Sequence, residues 1–128
     1  MLIIHADGGC KPNPGQGRFG VVAHRDGREC YSVSHGIGYG TNNKAEWRGA
    51  IAALTFAATQ PDTDIELRMD SRLVVKQFNG QYRVKHADLK PLADIARGLG
   101  DIIRARGARV TVRWVPREQN TRADALAA

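Results

Sequence analysis

Ile65-Glu66-Leu67-Arg68-Met69-Asp70-Ser71 is the stretch on which the fold turns. Ile65, Leu67 and Met69 alternate with polar residues as a strand does, the run stops at Asp70, and Ser71 is an N-cap residue for a helix reaching about Phe78. A strand that follows one helix and feeds another is the unit of a parallel α/β sheet, because the chain returns in the same direction only through a long crossover. The helix before it starts at Thr41 or Asn42 and carries Trp47, Ile51, Leu54 and Ala58 at helical spacing. Ala50, Ala53 and Ala57 widen that face, and Pro61-Asp62 ends it. Glu66 and Arg68 leave one face of the strand more polar than a sheet covered on both sides would have.

Toward the N-terminus, Leu2 to Ala6 is an apolar run expected to form a buried first strand with Asp7 at its C-terminal end. Gly8 to Gly17, dense in glycine and proline, is expected as a loop. A second strand runs from Arg18 to about Arg25, Asp26-Gly27 signals a hairpin, and a third strand sets Tyr31, Val33, His35 and Ile37 on one face. Toward the C-terminus, Gly80 breaks the second helix and Gln81 to His86 is basic and irregular. Asp88 is expected to cap a longer helix with Leu89, Leu92, Ile95, Leu99 and Ile102 on one stripe, ending at Gly107. Val110, Val112 and Trp114 form a fifth strand stopped by Pro116, and Asn120 or Thr121 caps a last short helix with Asp124 in its first turn. The order predicts one α/β domain over residues 1–128, with three antiparallel strands followed by two parallel ones.

Nineteen Lys plus Arg against thirteen Asp plus Glu give a net charge of +6, which favours a polyanionic partner. Cys10 and Cys30 have neither metal-ligand nor redox spacing, so reduced thiols and a cytoplasmic setting are expected. The opening Met-Leu-Ile-Ile meets His5 and Asp7 too soon for a signal peptide or a membrane span. Trp47 and Trp114, at apolar-periodic positions, are expected in the core. His5 and His35 are expected to be structural, and His24, near a hairpin turn, exposed.

Four carboxylates bear on the chemistry. Asp7 and Asp70 each end a strand, and on parallel neighbours they lie about 5 Å apart at the sheet edge where α/β folds bind ligands. Glu46 lies early in the first crossover helix and Asp124 starts the last. Any one of them alone suits a turn or a solvated helix face. Together they repel unless a hard divalent cation such as Mg²⁺ sits among them. A basic protein with an acidic metal centre suggests a nuclease.

These residues resemble type 1 ribonuclease H. Asp7-Gly8-Gly9-Cys10 with Asn13-Pro14-Gly15 and Gly20, Thr41 to Glu46, Asp70-Ser71, and Asn120 to Leu126 follow the family's order and approximate spacing across essentially the whole chain. The resemblance implies a ribonuclease H-like fold with a five-stranded mixed sheet flanked by helices. It implies a monomer hydrolysing the RNA strand of RNA/DNA hybrids, leaving 5′-phosphate and 3′-hydroxyl ends, with two divalent cations, Mg²⁺ or Mn²⁺, held by Asp7, Glu46, Asp70 and Asp124. In that pattern Asp7 bridges both ions, Asp124 holds the ion that activates water, and Glu46 and Asp70 hold the one near the leaving group. Gly8, Gly9 and Cys10 with Glu46 read the 2′-hydroxyl. Asn13, Thr41, Asn42, Asn43, Ser71, Tyr82, Arg83 and Lys85 contact the hybrid, Thr41 at a DNA phosphate.

The chain departs from the pattern at two places. Many members carry a histidine in a glycine-containing loop before the last helix, where this chain has Val115 to Asn120. Arg117, by phosphate contact, or Glu118, by proton or metal handling, is the expected replacement. The basic handle after the second helix is shortened to Gly80 to Ala87, and a separate N-terminal hybrid-binding domain is not expected. Two rival readings are a non-catalytic hybrid-binding module, which would be marked by loss of a carboxylate, and a nuclease of the same fold that also cleaves double-stranded RNA.

Overall fold

The computed structural model describes residues 1–128. Five strands, β1 (Leu2–Cys10), β2 (Gly15–Arg25), β3 (Arg28–Gly40), β4 (Asp64–Met69) and β5 (Arg109–Trp114), form one sheet in the order β3-β2-β1-β4-β5. β1 to β3 pair antiparallel, while β4 pairs parallel with β1 and with β5. The helices are α1 (Asn42–Ala58), α2 (Arg72–Phe78), α3 (Lys90–Ala105) and α4 (Thr121–Leu126), with a 3-10 turn over Arg117–Gln119. The mixed sheet and its strand directions are those expected from the crossovers.

Leu2, Ile4 and Ala6 of β1 and Ile65, Leu67 and Met69 of β4 are fully buried in a core shared with α1 and α3. Phe19, Val21 and Ala23 join that core, and Phe19 packs by Gly49 of α1, so these alternate residues of β2 face α1. Gly20, one residue out of phase, faces α4 on the other side. α4 packs on β1 and β2, leaving the same face of β4 to solvent. That accounts for Glu66 and Arg68: on the open face the Glu66 carboxylate accepts from Arg68 Nε at 2.5 Å and lies 3.9 Å from Arg113.

Several expectations are corrected. β1 does not end at Asp7 but continues to Cys10 paired with β2, so the glycine-rich loop shrinks to Lys11–Pro14. Gly8 and Gly9, expected in a loop, lie in the strand, where a glycine fits at position 8 because the backbone of α1 presses close. Only the parallel pairing with β4 stops at Ala6, and that places Asp7 at the sheet edge. β3 is bulged at Ile37, yet Tyr31, Val33 and Ile37 all pack against the core as expected, while His35, stacked on Phe19 with ring centroids 5.9 Å apart, is exposed. Asp88 does not cap α3, whose N-cap is Leu89 with no side-chain bond. The buried seam of α3 is Leu89, Ala93, Ala96, Gly100 and Ile103, whereas Ile95 and Ile102 are 51% and 63% exposed. Small residues win the inward face because they let α3 approach closely; a Cβ on Gly100 would sit 3.2 Å from the Phe78 ring. Trp47 is fully buried as expected, but Trp114 is only half-buried: its Nε1 donates to the Asp70 carbonyl at 3.2 Å and the Arg72 guanidinium lies 4.2 Å from its ring centroid. His24 is half-buried rather than exposed, and both cysteines are free thiols.

Candidate active site

β1 and β4 are parallel neighbours with Ala6 opposite Met69, so the next residues, Asp7 and Asp70, emerge side by side. Ser71 caps α2, its Oγ accepting from Val74 N–H at 3.2 Å, which turns the chain sharply away and leaves the Asp70 carboxylate at the edge. Thr41 caps α1 in the same way, accepting from Lys44 N–H at 3.3 Å. The first turns of α1 lie against β1 so closely that a Cβ on Gly8 would overlap the Ala45 carbonyl, and this brings Glu46 to the same point. Carboxylate oxygens of Asp7, Glu46 and Asp70 lie within 4.8 Å of one another. The fourth acid, Asp124, lines the same cleft of about 760 Å³ from α4, though it stands outside that tight group of three.

α4 is held at this position by Asn120. The expected cap makes no capping bond; it is buried, and its Nδ2 donates to the Ala6 carbonyl at 3.0 Å. The residue that starts the last helix is therefore tied to the strand residue preceding Asp7. Sequence reading identified Asn120 as a cap because its side-chain oxygen suits one, and nothing local reveals a partner 114 positions away.

The acidic group is costly without cations. Burial pushes the Asp7 carboxyl well above the usual carboxylate range, and the nearby Asp70 and Asp124 add to the rise, against the pull of neighbouring Glu46 and of the Gly8 N–H, which donates to Asp7 Oδ1 at 2.9 Å. Burial drives Glu46 upward as well, with Asp7 the next cause. Glu46 Oε1 accepts from Gly8 N–H at 2.7 Å, while Oε2 is buried with no hydrogen-bond partner. An orphaned carboxylate oxygen facing two other carboxylates fits a hard cation, which takes all-oxygen ligand sets.

The β1–β2 connection and the start of α1 are knitted together. Cys10 N–H donates to Asn42 Oδ1 at 2.7 Å, and Asn42 N–H donates to Asn13 Oδ1 at 3.1 Å. With both side-chain oxygens engaged, Asn13 and Asn42 present their amide N–H₂ groups outward as donors. The N–H groups of Gly8 and Cys10 are likewise committed inside the protein. Asn42 and Asn43 line the cleft with Gly8, Gly9, Cys10 and Ser71. A second groove of about 580 Å³ is lined by Asn13, Thr41, Asn42, Asn43, Lys44 and His86.

Of the two expected replacements for a loop histidine, Arg117 lines the cleft, its guanidinium 3.6 Å from Asp124 Oδ1, and Glu118 does not. Tyr82, Arg83 and Lys85 are exposed outside both grooves, with the Lys76 ammonium 4.9 Å from the Tyr82 ring centroid. Sequence reasoning missed Lys11, Gln16 and Arg18, which also line the cleft. The available signal was strand alternation: Arg18 shares the phase of Gly20, the residue opposite Asp7.

The sequence matches the profile of the reverse transcriptase-like family over residues 5–128. It is 43% identical, over 98% of its length, to a bifunctional protein of Mycobacterium tuberculosis, and spans 34% of that relative's length. Among solved structures it resembles the N-terminal RNase H domain of a Mycobacterium tuberculosis protein, fused to maltose binding protein, with TM-score 0.89 and 40% identity, covering 98% of this chain and 89% of that one. It also resembles a ribonuclease H1 in complex with an RNA/DNA hybrid, with TM-score 0.86 and 36% identity, covering 99% of this chain and 94% of that one. No helix is long and apolar enough to cross a membrane.

Proposed function

The chain belongs to the ribonuclease H-like superfamily, in its reverse transcriptase-like family, and from that premise we propose that it is an endoribonuclease hydrolysing the RNA strand of RNA/DNA hybrids. The observation that carries the reading is the convergence of Asp7, Glu46 and Asp70 at the end of the central parallel pair, with Glu46 Oε2 buried and unpartnered. Asp7, Glu46, Asp70 and Asp124 would hold two divalent cations, Mg²⁺ or Mn²⁺. When bound, such ions supply an activated water and neutralise charge on the leaving oxygen, giving 5′-phosphate and 3′-hydroxyl ends.

The protein's own residues do the rest. Glu46 and the strand segment Gly8 to Cys10 meet the RNA 2′-hydroxyl, and because the Gly8 and Cys10 N–H groups are already engaged, they do so through acceptor atoms. The 2′-hydroxyl donates to them, which deoxyribose cannot. Asn13, Asn42 and Asn43 direct amide donors at the hybrid's grooves, and Thr41 with Lys44 and His86 receives a DNA-strand phosphate in the second groove. Arg117 positions Asp124 and meets the phosphate as the product leaves, the task a histidine performs elsewhere. Tyr82, Arg83 and Lys85 add backbone contacts, consistent with a charge of +6.

The test is incubation with labelled RNA/DNA hybrid, double-stranded RNA and double-stranded DNA, in Mg²⁺, in Mn²⁺ and in chelator. Cleavage of the hybrid alone, abolished by chelator and by Asp7→Asn, is expected. Hybrid cleavage that survives both would overturn the mechanism, and equal cleavage of double-stranded RNA would widen the substrate class.

A further inference from the structure

The acidic centre occupies only one end of its cleft. The other end crosses β2 and β3 over Gly17, Gly36 and Gly38, which line it together with Lys11 and Gln16. Arg18 is the guanidinium of that end. It lies opposite Gly9 in the β1–β2 pairing, in phase with Gly20, and so on the sheet face that carries α4 and Asp7.

Arg18 is held in place yet electrostatically unpaired. Its Nη1 donates to Ser34 Oγ at 3.1 Å, Ser34 Oγ donates in turn to the Leu126 carbonyl at 2.5 Å, and Nη2 rests over Gly36. It takes part in no ion pair, whereas Arg117 at the acidic end is paired with Asp124. A guanidinium has five N–H donors and no acceptor, so one hydrogen bond to a hydroxyl leaves most of its donors facing the cleft. The guanidinium reaches β3, and two strand spacings of about 4.8 Å put it roughly 10 Å from the strand that carries Asp7.

We propose that Arg18 binds a backbone phosphate of the RNA strand one or two nucleotides from the scissile bond, in the glycine-lined arm of the cleft. The strand is the RNA because Arg18 lines the same cleft as the carboxylates that act on the RNA, whereas the groove assigned to the DNA strand, which adjoins this cleft at Asn42 and Asn43, is not lined by Arg18. Planar donors in a fixed fork suit a phosphate, and the Ser34 tether lowers the entropy lost on binding. The contact extends the RNA footprint and sets how much hybrid is needed on that side of the cut. This inference rests on the reading of the chain as a hybrid nuclease.

The test uses the full chain, Arg18→Ala and Arg18→Lys. Hybrid binding is measured with Ca²⁺ in place of Mg²⁺ across a salt series, using RNA strands that carry one neutral methylphosphonate linkage at successive positions. Arg18→Ala should bind about tenfold more weakly at low salt, and its log–log salt slope should fall by about 0.7 to 0.9, the signature of one lost phosphate contact. Arg18→Lys should keep most of that slope. One RNA linkage near the cut should weaken the wild type when neutralised and leave Arg18→Ala unaffected, and in Mg²⁺ KM should rise more than kcat falls. An unchanged salt slope, or coupling to a DNA-strand linkage, overturns the assignment. So does a lowered melting temperature with unchanged slope, which would make Arg18 a tie between β2 and α4. A wild type inert toward hybrid sinks the functional reading beneath it, and is seen before any variant is compared.

Discussion

Gly20→Ala is the sharpest probe of how the site is assembled. Gly20 is the residue opposite Asp7 in the β1–β2 pairing, and α4 sits directly on it. A Cβ there would lie 2.5 Å from Leu126 Cβ, 2.6 Å from the Ala123 carbonyl oxygen and 2.8 Å from Ala127 N, where ordinary contact begins at 3.4 Å. Two of the three are backbone atoms, so no rotamer change relieves them, and α4 has to retreat by about 1 Å. Overpacking of this size costs about 1–3 kcal/mol, and in a domain of this length each kcal/mol shifts Tm by about 4 °C. Asp124 moves with α4, and if it acts as proposed, a displacement of about 1 Å costs on the order of a hundredfold in rate. Thermal melting and initial rates on an RNA/DNA hybrid in Mg²⁺ should therefore show a Tm lowered by several degrees and a rate lowered by far more than the unfolded fraction explains. Leu126→Ala in the same chain should not rescue it, because alanine retains the Cβ. If Gly20→Ala melts as the wild type does and cleaves within twofold of it, α4 is not seated as described.

Other expected outcomes follow from neighbouring contacts. Asn120→Ala leaves the buried Ala6 carbonyl without its donor and should cost about 1–3 kcal/mol, with Asp124-dependent activity falling further than stability; a melt unchanged within a degree would deny the tether. Arg117→Ala should slow turnover about tenfold with partial recovery in Arg117→Lys, since a charge-assisted contact to phosphate is lost, and Glu118→Ala is the control from the same turn outside the cleft; a larger effect of Glu118→Ala would reverse the assignment. In chelator, the native protein retains the Asp7 proton up to about pH 6, whereas the unfolded chain loses its own near pH 4. Between those values the native state binds more protons, so this group makes stability fall as pH rises. The melting temperature of Asp7→Asn should therefore gain on that of the wild type as pH rises through this window, and Mg²⁺ should close the gap; parallel Tm–pH curves in chelator would refute the strain. Gly8→Ala, whose Cβ would overlap the Ala45 carbonyl, should push α1 off β1 and abolish cleavage, read by activity together with circular dichroism to confirm that the chain still folds.

Much of the site was legible because its acids sit at chain punctuation. Asp7 and Asp70 end apolar runs, Ser71 and Thr41 are caps, and a cap is a local event written in a few residues. The polarity of Glu66 and Arg68 was visible but had no explanation, since whether a strand face is covered depends on where α4 packs, far along the chain. The stripe of α3 was legible only in part for a related reason: Leu89, Leu92 and Leu99 meet the core, but Ile95 and Ile102 do not. Large apolar residues mark a helix's buried face only when there is room for them, and here close approach to neighbouring elements hands that face to Ala93, Ala96 and Gly100 and leaves Ile95 and Ile102 outside. Between Arg117 and Glu118 the sequence had no preference, because a single turn decides which side chain points into the cleft.

By itself the sequence determined the α/β class, the directions of the strands and the order of the elements, and it singled out four carboxylates as candidates, because alternation, helical spacing and caps are short-range and each acid lies beside one. Only the tertiary structure decided that three of those acids share one cluster, that Asn120 is a tether rather than a cap, that Gly8 and Gly20 are glycines because a helix presses on each, and that Arg18 belongs to the cleft. All of these depend on contacts between residues far apart in the chain, whose distances are set by how α1 and α4 seat on opposite faces of the sheet.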